Sequence, residues 1–207
     1  MSAVVTPELY LHAVELGDLE LVAHYGDQLE EPGIAAAGWV ERPEALLLSA
    51  LDYARRLRLL VLPLRPGAKT PLGGKCCGRT HENGSLTATG DPTVIARWWR
   101  EHPTANVGIA TGHRVDVIDQ DGPEGAVSWA RIGRANAWPA VLGVALTVRP
   151  EGAGVHRYVA ATGDGNGAKI APGIDYRGRS GYVVAPPSII EGRRYSWALP
   201  LDLGARR

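Results

Sequence analysis

The sequence predicts an α+β (mixed α/β) fold with a mostly antiparallel sheet, and three observations carry that expectation. Short β-branched runs recur between Gly and Pro punctuation. Two stretches, Glu44–Arg58 and Asp91–His102, carry apolar residues at helical spacing. Tight Gly-rich turns join neighbouring strand-like runs, as hairpins require. The chain divides into an acidic helical appendage over 1–43, a main domain over 44–200 and a short tail over 201–207.

Thr6-Pro7-Glu8 reads as an N-cap with Pro at the first helical position, and Leu9, Ala13 and Leu16 repeat at helical spacing up to Gly17. Asp18–Tyr25 is a second short helical stretch, and residues 27–43 read as a connection. No chemistry is assigned to this part. In Glu44–Arg58, Leu46, Ala50, Tyr53, Ala54 and Leu57 share one side. An apolar strand, Leu59–Leu64, leads into a long Gly/Thr-rich loop over 65–90. Asp91-Pro92 caps the next helix and His102-Pro103 ends it, with Ile95, Trp98 and Trp99 at core spacing. The Trp pair reads as core packing rather than a base-stacking platform.

Asn106–Thr111 and Val115–Gln120 are strands, and Glu124–Ile132 is a helix. Val144–Arg149 and Val155–Ala161 read as a hairpin around Pro150–Gly154. Asp175–Gly178 and Tyr182–Ala185 read as a second hairpin around Arg179-Ser180-Gly181.

The 207 residues carry no net charge, but the balance is uneven. Residues 1–50 hold nine acidic residues and one basic, a net of −8, leaving 21 basic against 13 acidic, a net of +8, over 51–207. A basic body suits a nucleic-acid or nucleotide partner, and ordinary solvated surface gives the same imbalance. Adjacent Cys76 and Cys77 build no disulfide framework, and no basic-then-apolar leader opens the chain. The uncharged stretch Ala135–Val148 is too short to span a bilayer. A cytoplasmic protein without membrane association is expected.

The chemistry collects on three strands. Alternation along Val115–Gln120 puts Asp119 and Asp121 on one face, roughly 7 Å apart along the strand, and Asp116, Ile118 and Gln120 on the other. Two such carboxylates can converge on a divalent cation, or on a pair about 4 Å apart. The alternative is a solvated strand end running into an Asp-Gly turn. His156 and Tyr158 share a face, behind the stretch Glu151-Gly152-Ala153-Gly154, which is read as small enough to let a phosphate or ribose approach the backbone. His156 is equally readable as a structural hydrogen-bonder. Asp175 and Arg177 share a face and read either as a local ion pair or as a third carboxylate with a phosphate-binding guanidinium. Cys76, Cys77 and His81 raise a structural Zn²⁺, but lack the usual ligand spacing and a fourth ligand, so a plain loop is expected.

Several short motifs follow one another in a fixed order. They are Pro66-Gly67-Ala68-Lys69-Thr70-Pro71, Thr89-Gly90-Asp91-Pro92, Trp98-Trp99, Asn106-Val107-Gly108-Ile109 and Asp119-Gln120-Asp121, then Gly154-Val155-His156, Gly173-Ile174-Asp175-Tyr176-Arg177-Gly178, Gly181–Ser188 and Arg194-Tyr195-Ser196-Trp197. This ordered set, over about residues 45–198, resembles the bifunctional DNA primase/polymerase (prim-pol) domain of the archaeo-eukaryotic primase superfamily. The resemblance implies an RNA-recognition-motif-like sheet packed with a second α/β unit. It implies template-directed nucleotidyl transfer in the replication of a plasmid, phage or other mobile element, with two Mg²⁺ or Mn²⁺ ions, (d)NTPs and a single-stranded DNA template. Asp119, Asp121 and Asp175 match the family's metal-binding, catalytic carboxylates, and His156 its nucleotide-phosphate contact. Arg177 and Lys69 would be supporting phosphate contacts. The family's His motif opens with a small hydroxyl residue, where this chain has Glu151. Relatives often continue into a helical priming domain or a helicase, so a replicative helicase acting in trans is an implied partner. Two rivals stand beside this reading: a non-catalytic nucleotide- or single-stranded-DNA-binding replication module, and a metal-dependent phosphohydrolase or nuclease. Ser188 is read as part of a structural turn rather than a nucleotide contact.

Overall fold

A computed structural model describes residues 44–72, 87–135, 138–149 and 152–204. The chain divides into Met1–Arg42 and Pro43–Arg207, and all described residues lie in the second unit. The expectations for residues 1–43, for Cys76, Cys77 and His81, and for Glu151 fall outside the described residues.

The described helices are α1 (Glu44–Arg55), α2 (Pro92–Glu101) and α3 (Gly122–Arg134). The strands are β1 (Val61–Leu64), β2 (Asn106–Ala110), β3 (Val115–Gln120), β4 (Val141–Arg149), β5 (Gly152–Ala160) and β6 (Gly167–Ala171). They continue with β7 (Ile174–Arg177), β8 (Tyr182–Ala185), β9 (Ile189–Ile190), β10 (Arg193–Arg194) and β11 (Ser196–Leu199). All pairings between them are antiparallel, in a six-stranded sheet of order β11-β4-β5-β3-β7-β6, a three-stranded sheet β1-β2-β8 and a small β9-β10 ribbon. The expected α+β class with a mostly antiparallel sheet is what the chain adopts.

Each helix boundary has a local cause. Asp91 accepts hydrogen bonds from the Thr93 and Val94 amides, at 2.8 and 3.4 Å, and Pro92 occupies the first helical position where no amide partner is needed. Helix α1 stops at Arg55, although the apolar spacing runs on to Leu57. Arg58 takes a left-handed conformation (φ 52°), and the Leu59 amide reaches back to the Tyr53 carbonyl at 2.9 Å. That bond spans six residues, one more than the usual Schellman closure, and Arg58 holds the left-handed position that Gly usually fills. Periodicity cannot see such a closure.

The core forms on both faces of the six-stranded sheet. On one face Ile118, Val159, Ala171 and Ile174 pack against Trp129 and Ile132 of α3. There the Arg157 guanidinium lies 3.9 Å from the Trp129 ring centroid and donates to Gln120 Oε1 at 2.6 Å. Trp98 and Trp99 are both buried, and the Trp99 indole N–H donates to the Ala105 carbonyl, so this pair is core.

One expected hairpin does not form. Strand β7 pairs with β3 and β6, whereas β8 pairs with β2 in the other sheet. The residues between them carry the chain from one sheet to the other instead of folding it back. Thr111, where β2 passes toward β3, fixes this crossing: its amide donates to the Gly181 carbonyl and its hydroxyl to the Gly178 carbonyl. Two crossovers therefore run side by side and tie the sheets together.

Candidate active site

Cross-strand register builds the site. On the face of the six-stranded sheet away from α3, Asp119 of β3 is the direct partner of His156 on β5 and of Asp175 on β7. Direct antiparallel partners hold their Cβ atoms about 5 Å apart. One row across three strands thus reads imidazole, carboxylate, carboxylate. Arg177 lies two residues beyond Asp175 on the same face.

The polar contacts follow from that row. His156 Nε2 lies 3.4 Å from Asp119 Oδ1, and Arg177 Nη2 lies 3.6 Å from Asp119 Oδ2. The same Nη2 donates to Asp175 Oδ2 at 2.8 Å, and the Lys169 amide donates to Asp175 Oδ1 at 2.7 Å. Asp119 and His156 are 6% and 4% exposed, so their interactions are little screened by water. Asp121 sits at the N-cap position of α3, but its side chain does not cap the helix and instead faces the same cavity as Asp119.

That cavity, about 320 Å³, opens between the two sheets. Asp119, Asp121, His156, Arg177 and Lys69 line it. Five of the six residues singled out in the sequence are therefore brought to one space. Asp175 is the exception, since it adjoins the site through Arg177 but does not line the cavity. Asp116 lies on the opposite face, as alternation requires. Its buried carboxylate accepts from the Gly112 and Thr162 amides at 2.9 and 2.8 Å and from the Tyr176 hydroxyl at 2.6 Å. Burial and this bond to a carboxylate push the Tyr176 phenol up to about 12, so it stays a donor.

Residues given no site role from the sequence also line the cavity, among them Asn166, Ser180, Tyr182, Val184 and Tyr195. They come from loops and from the other sheet, so no local spacing marks them. The Tyr182 hydroxyl donates to the Lys69 carbonyl at 3.2 Å, and burial pushes its pKa up. That contact links the Lys69 loop to β8.

Among the described residues no three or more His, Cys, Asp or Glu side chains are gathered so as to hold one metal ion. Asp119 and Asp121 nevertheless fit a hard divalent cation, since both offer carboxylate oxygens to one cavity. Gly154 keeps the ground beside Asp121 clear. A Cβ there would stand 3.5 Å from Asp121 Oδ1 and overlap Thr147 Oγ1.

Ser188 is structural. Its buried hydroxyl accepts from the Val107 amide at 2.8 Å and donates to the Val107 carbonyl at 3.3 Å. Ser188→Ala leaves a buried amide without its acceptor and should cost about 2 kcal/mol of stability, read by denaturant unfolding. Nucleotide affinity should stay unchanged.

The mixed α+β architecture, with its mostly antiparallel sheets, is that of a primase/polymerase-type domain. A family model described as "Bifunctional DNA primase/polymerase, N-terminal" matches residues 50–204, and the chain belongs to that family. Membership implies activity of the primase/polymerase, nucleotidyltransferase type. No curated protein matches the chain. No helix among the described residues is long and apolar enough to cross a membrane.

Proposed function

We propose that this domain carries out template-directed nucleotidyl transfer, joining (d)NTPs on a single-stranded DNA template during replication of a plasmid, phage or other mobile element. The observation that carries the reading is the row His156–Asp119–Asp175 across three paired strands, with Asp121, Arg177 and Lys69 converging on the adjoining cavity. Asp119 and Asp121 would hold Mg²⁺ or Mn²⁺, with Asp175 as the third carboxylate. When bound, such cations neutralise the triphosphate and lower the pKa of the attacking hydroxyl.

The chain's own side chains do the remaining work. Lys69 enters the cavity from the loop after β1 and Arg177 from the end of β7, so cationic groups approach the phosphates from both sheets. Arg177 offers a planar fork suited to phosphate oxygens, and Lys69 a point charge. His156, held by β5 against Asp119, presents an imidazole to the same phosphates. Burial of Asp119 and His156 strengthens their part in these interactions relative to water. In the step itself the hydroxyl gives up its proton to solvent, its oxygen bonds to the α-phosphorus, the α–β bridging bond breaks, and pyrophosphate leaves. A replicative helicase supplied in trans fits a module of this kind.

A second reading, a nucleotide- or DNA-binding module without catalysis, is favoured by one contact. Both oxygens of Asp175 are engaged, by Arg177 and by the Lys169 amide. Incorporation of labelled nucleotide on a single-stranded template, with and without an annealed primer and with Mg²⁺ or Mn²⁺, separates the two. Metal-dependent products are expected, and unprimed products would add primase activity. Nucleotide binding with no product under any condition would leave the binding module.

A further inference from the structure

The site holds a cation of its own between its carboxylates. Arg177 Nη2 lies 2.8 Å from Asp175 Oδ2 and 3.6 Å from Asp119 Oδ2, so one guanidinium spans two carboxylates that face each other across β3 and β7. Those two oxygens belong to two of the three residues proposed to hold divalent metal. The same Arg177 lines the cavity in which phosphates are proposed to bind. A divalent cation held by both carboxylates would meet the guanidinium at those same oxygens, so the two cations compete for one place.

We infer that Arg177 is a placeholder that alternates between two positions. Without substrate it neutralises the Asp119–Asp175 pair, and on nucleotide binding it moves to the phosphates and releases Asp175 to the metal. This inference rests on the reading above, in which the carboxylates hold metal and Arg177 meets phosphate.

Three features support the exchange. The Arg177 side chain is 35% exposed, so it is not locked by packing and has room to swing on a flexible stem. Two adjacent carboxylates repel, and their site needs a positive charge whether or not metal is present. Asp175 stays out of the cavity while its Oδ2 is held by Arg177, which accounts for three carboxylates around the site without a three-carboxylate cluster. The consequence is an order of loading. Metal binds weakly to Asp119 and Asp121 alone, and gains Asp175 only when a triphosphate arrives to take the guanidinium.

The test is nucleotide-free Mn²⁺ binding, read by the loss of free-Mn²⁺ paramagnetic resonance signal on the full chain, with thermal melting to verify folding. Arg177→Gln removes the placeholder and should tighten Mn²⁺ binding about tenfold, while weakening nucleotide binding by a similar factor. Lys69→Gln removes the cavity cation that comes from the loop after β1, and should change Mn²⁺ affinity by less than about threefold. Asp175→Asn should leave nucleotide-free Mn²⁺ affinity within about twofold in the otherwise native chain, but weaken it about tenfold in the Arg177→Gln background, a non-additivity expected of directly coupled groups.

Mn²⁺ binding that Arg177→Gln leaves unchanged or weakens, or an Asp175→Asn effect equal in both backgrounds, overturns the placeholder and leaves the metal reading standing. Equal tightening by Lys69→Gln and Arg177→Gln also overturns it, since a general field would then suffice. If neither the native chain nor Arg177→Gln binds Mn²⁺, the metal reading and the placeholder both fall.

Discussion

Asp119→Asn should reduce nucleotide incorporation by about 10³-fold, equivalent to ~4 kcal/mol of transition-state stabilisation, while leaving the fold intact. The size of the effect follows from position. Asp119 is on the central part of the six-stranded sheet, with His156 and Asp175 as its partners on either side. Its two oxygens face the imidazole and the guanidinium separately, at 3.4 and 3.6 Å. Asn keeps the volume and one oxygen but removes the charge, so both the proposed cation site and the alignment of the row are lost. Stability should change by only about 1 kcal/mol, because Arg177 retains Asp175 as its partner and is partly exposed to water. Primer extension and thermal melting on the same preparations would check both halves. Incorporation within tenfold of the native chain would remove Asp119 from the metal-binding set and favour the binding module.

Much of this site was legible because strand alternation is a local rule. Asp119 and Asp121 could be placed together, and Asp116 set apart, from sequence spacing alone. Helix α2 was equally legible, since its Asp91-Pro92 start acts within one turn. The parts that were not legible depend on residues far apart in the chain. The β7 and β8 strands look like a hairpin because strong strand formers flank a short Gly-containing turn. Which neighbour each strand takes is decided by Thr111, some 70 residues earlier in the chain. Strand β6 was missed for a related reason. Its exposed residues and irregular pairing to β7 leave no clean alternation to read. The same holds for the cavity wall, where Tyr182 arrives from β8 in the other sheet and Tyr195 from between β10 and β11. Even the tension over Asp175 is a matter of geometry, because spacing offered its ion pair with Arg177 but could not show that the same guanidinium also reaches Asp119.

Gly125→Ala should destabilise the domain by about 3 kcal/mol and lower incorporation at least about tenfold, against the usual trend for a helix. Replacing Gly by Ala inside a helix ordinarily stabilises it by up to ~1 kcal/mol, since Ala loses less backbone freedom. Here the first turn of α3 lies against the turn that joins β6 to β7. A Cβ on Gly125 would overlap the Gly173 carbonyl oxygen and crowd Gln120 Cγ at 2.8 Å. Neither side can yield freely. The Gly173 carbonyl accepts the Asp121 amide at 2.8 Å, and Gly173 itself holds a left-handed conformation (φ 65°) that suits glycine. Pushing that turn away moves the Asp121 backbone at one end and the start of β7, with Asp175 and Arg177, at the other. Gly133, near the end of the same helix, provides the opposite case. Its added Cβ would meet only Trp138 Cδ1, at an ordinary 3.5 Å. Gly133→Ala should therefore stabilise by about 0.5 kcal/mol and leave incorporation unchanged. Denaturant unfolding of the two variants gives the sign directly. Two losses of similar size would mean that the helix, rather than its seat on the β6–β7 turn, sets the cost, and the mechanical link from α3 to the carboxylates would have to be abandoned.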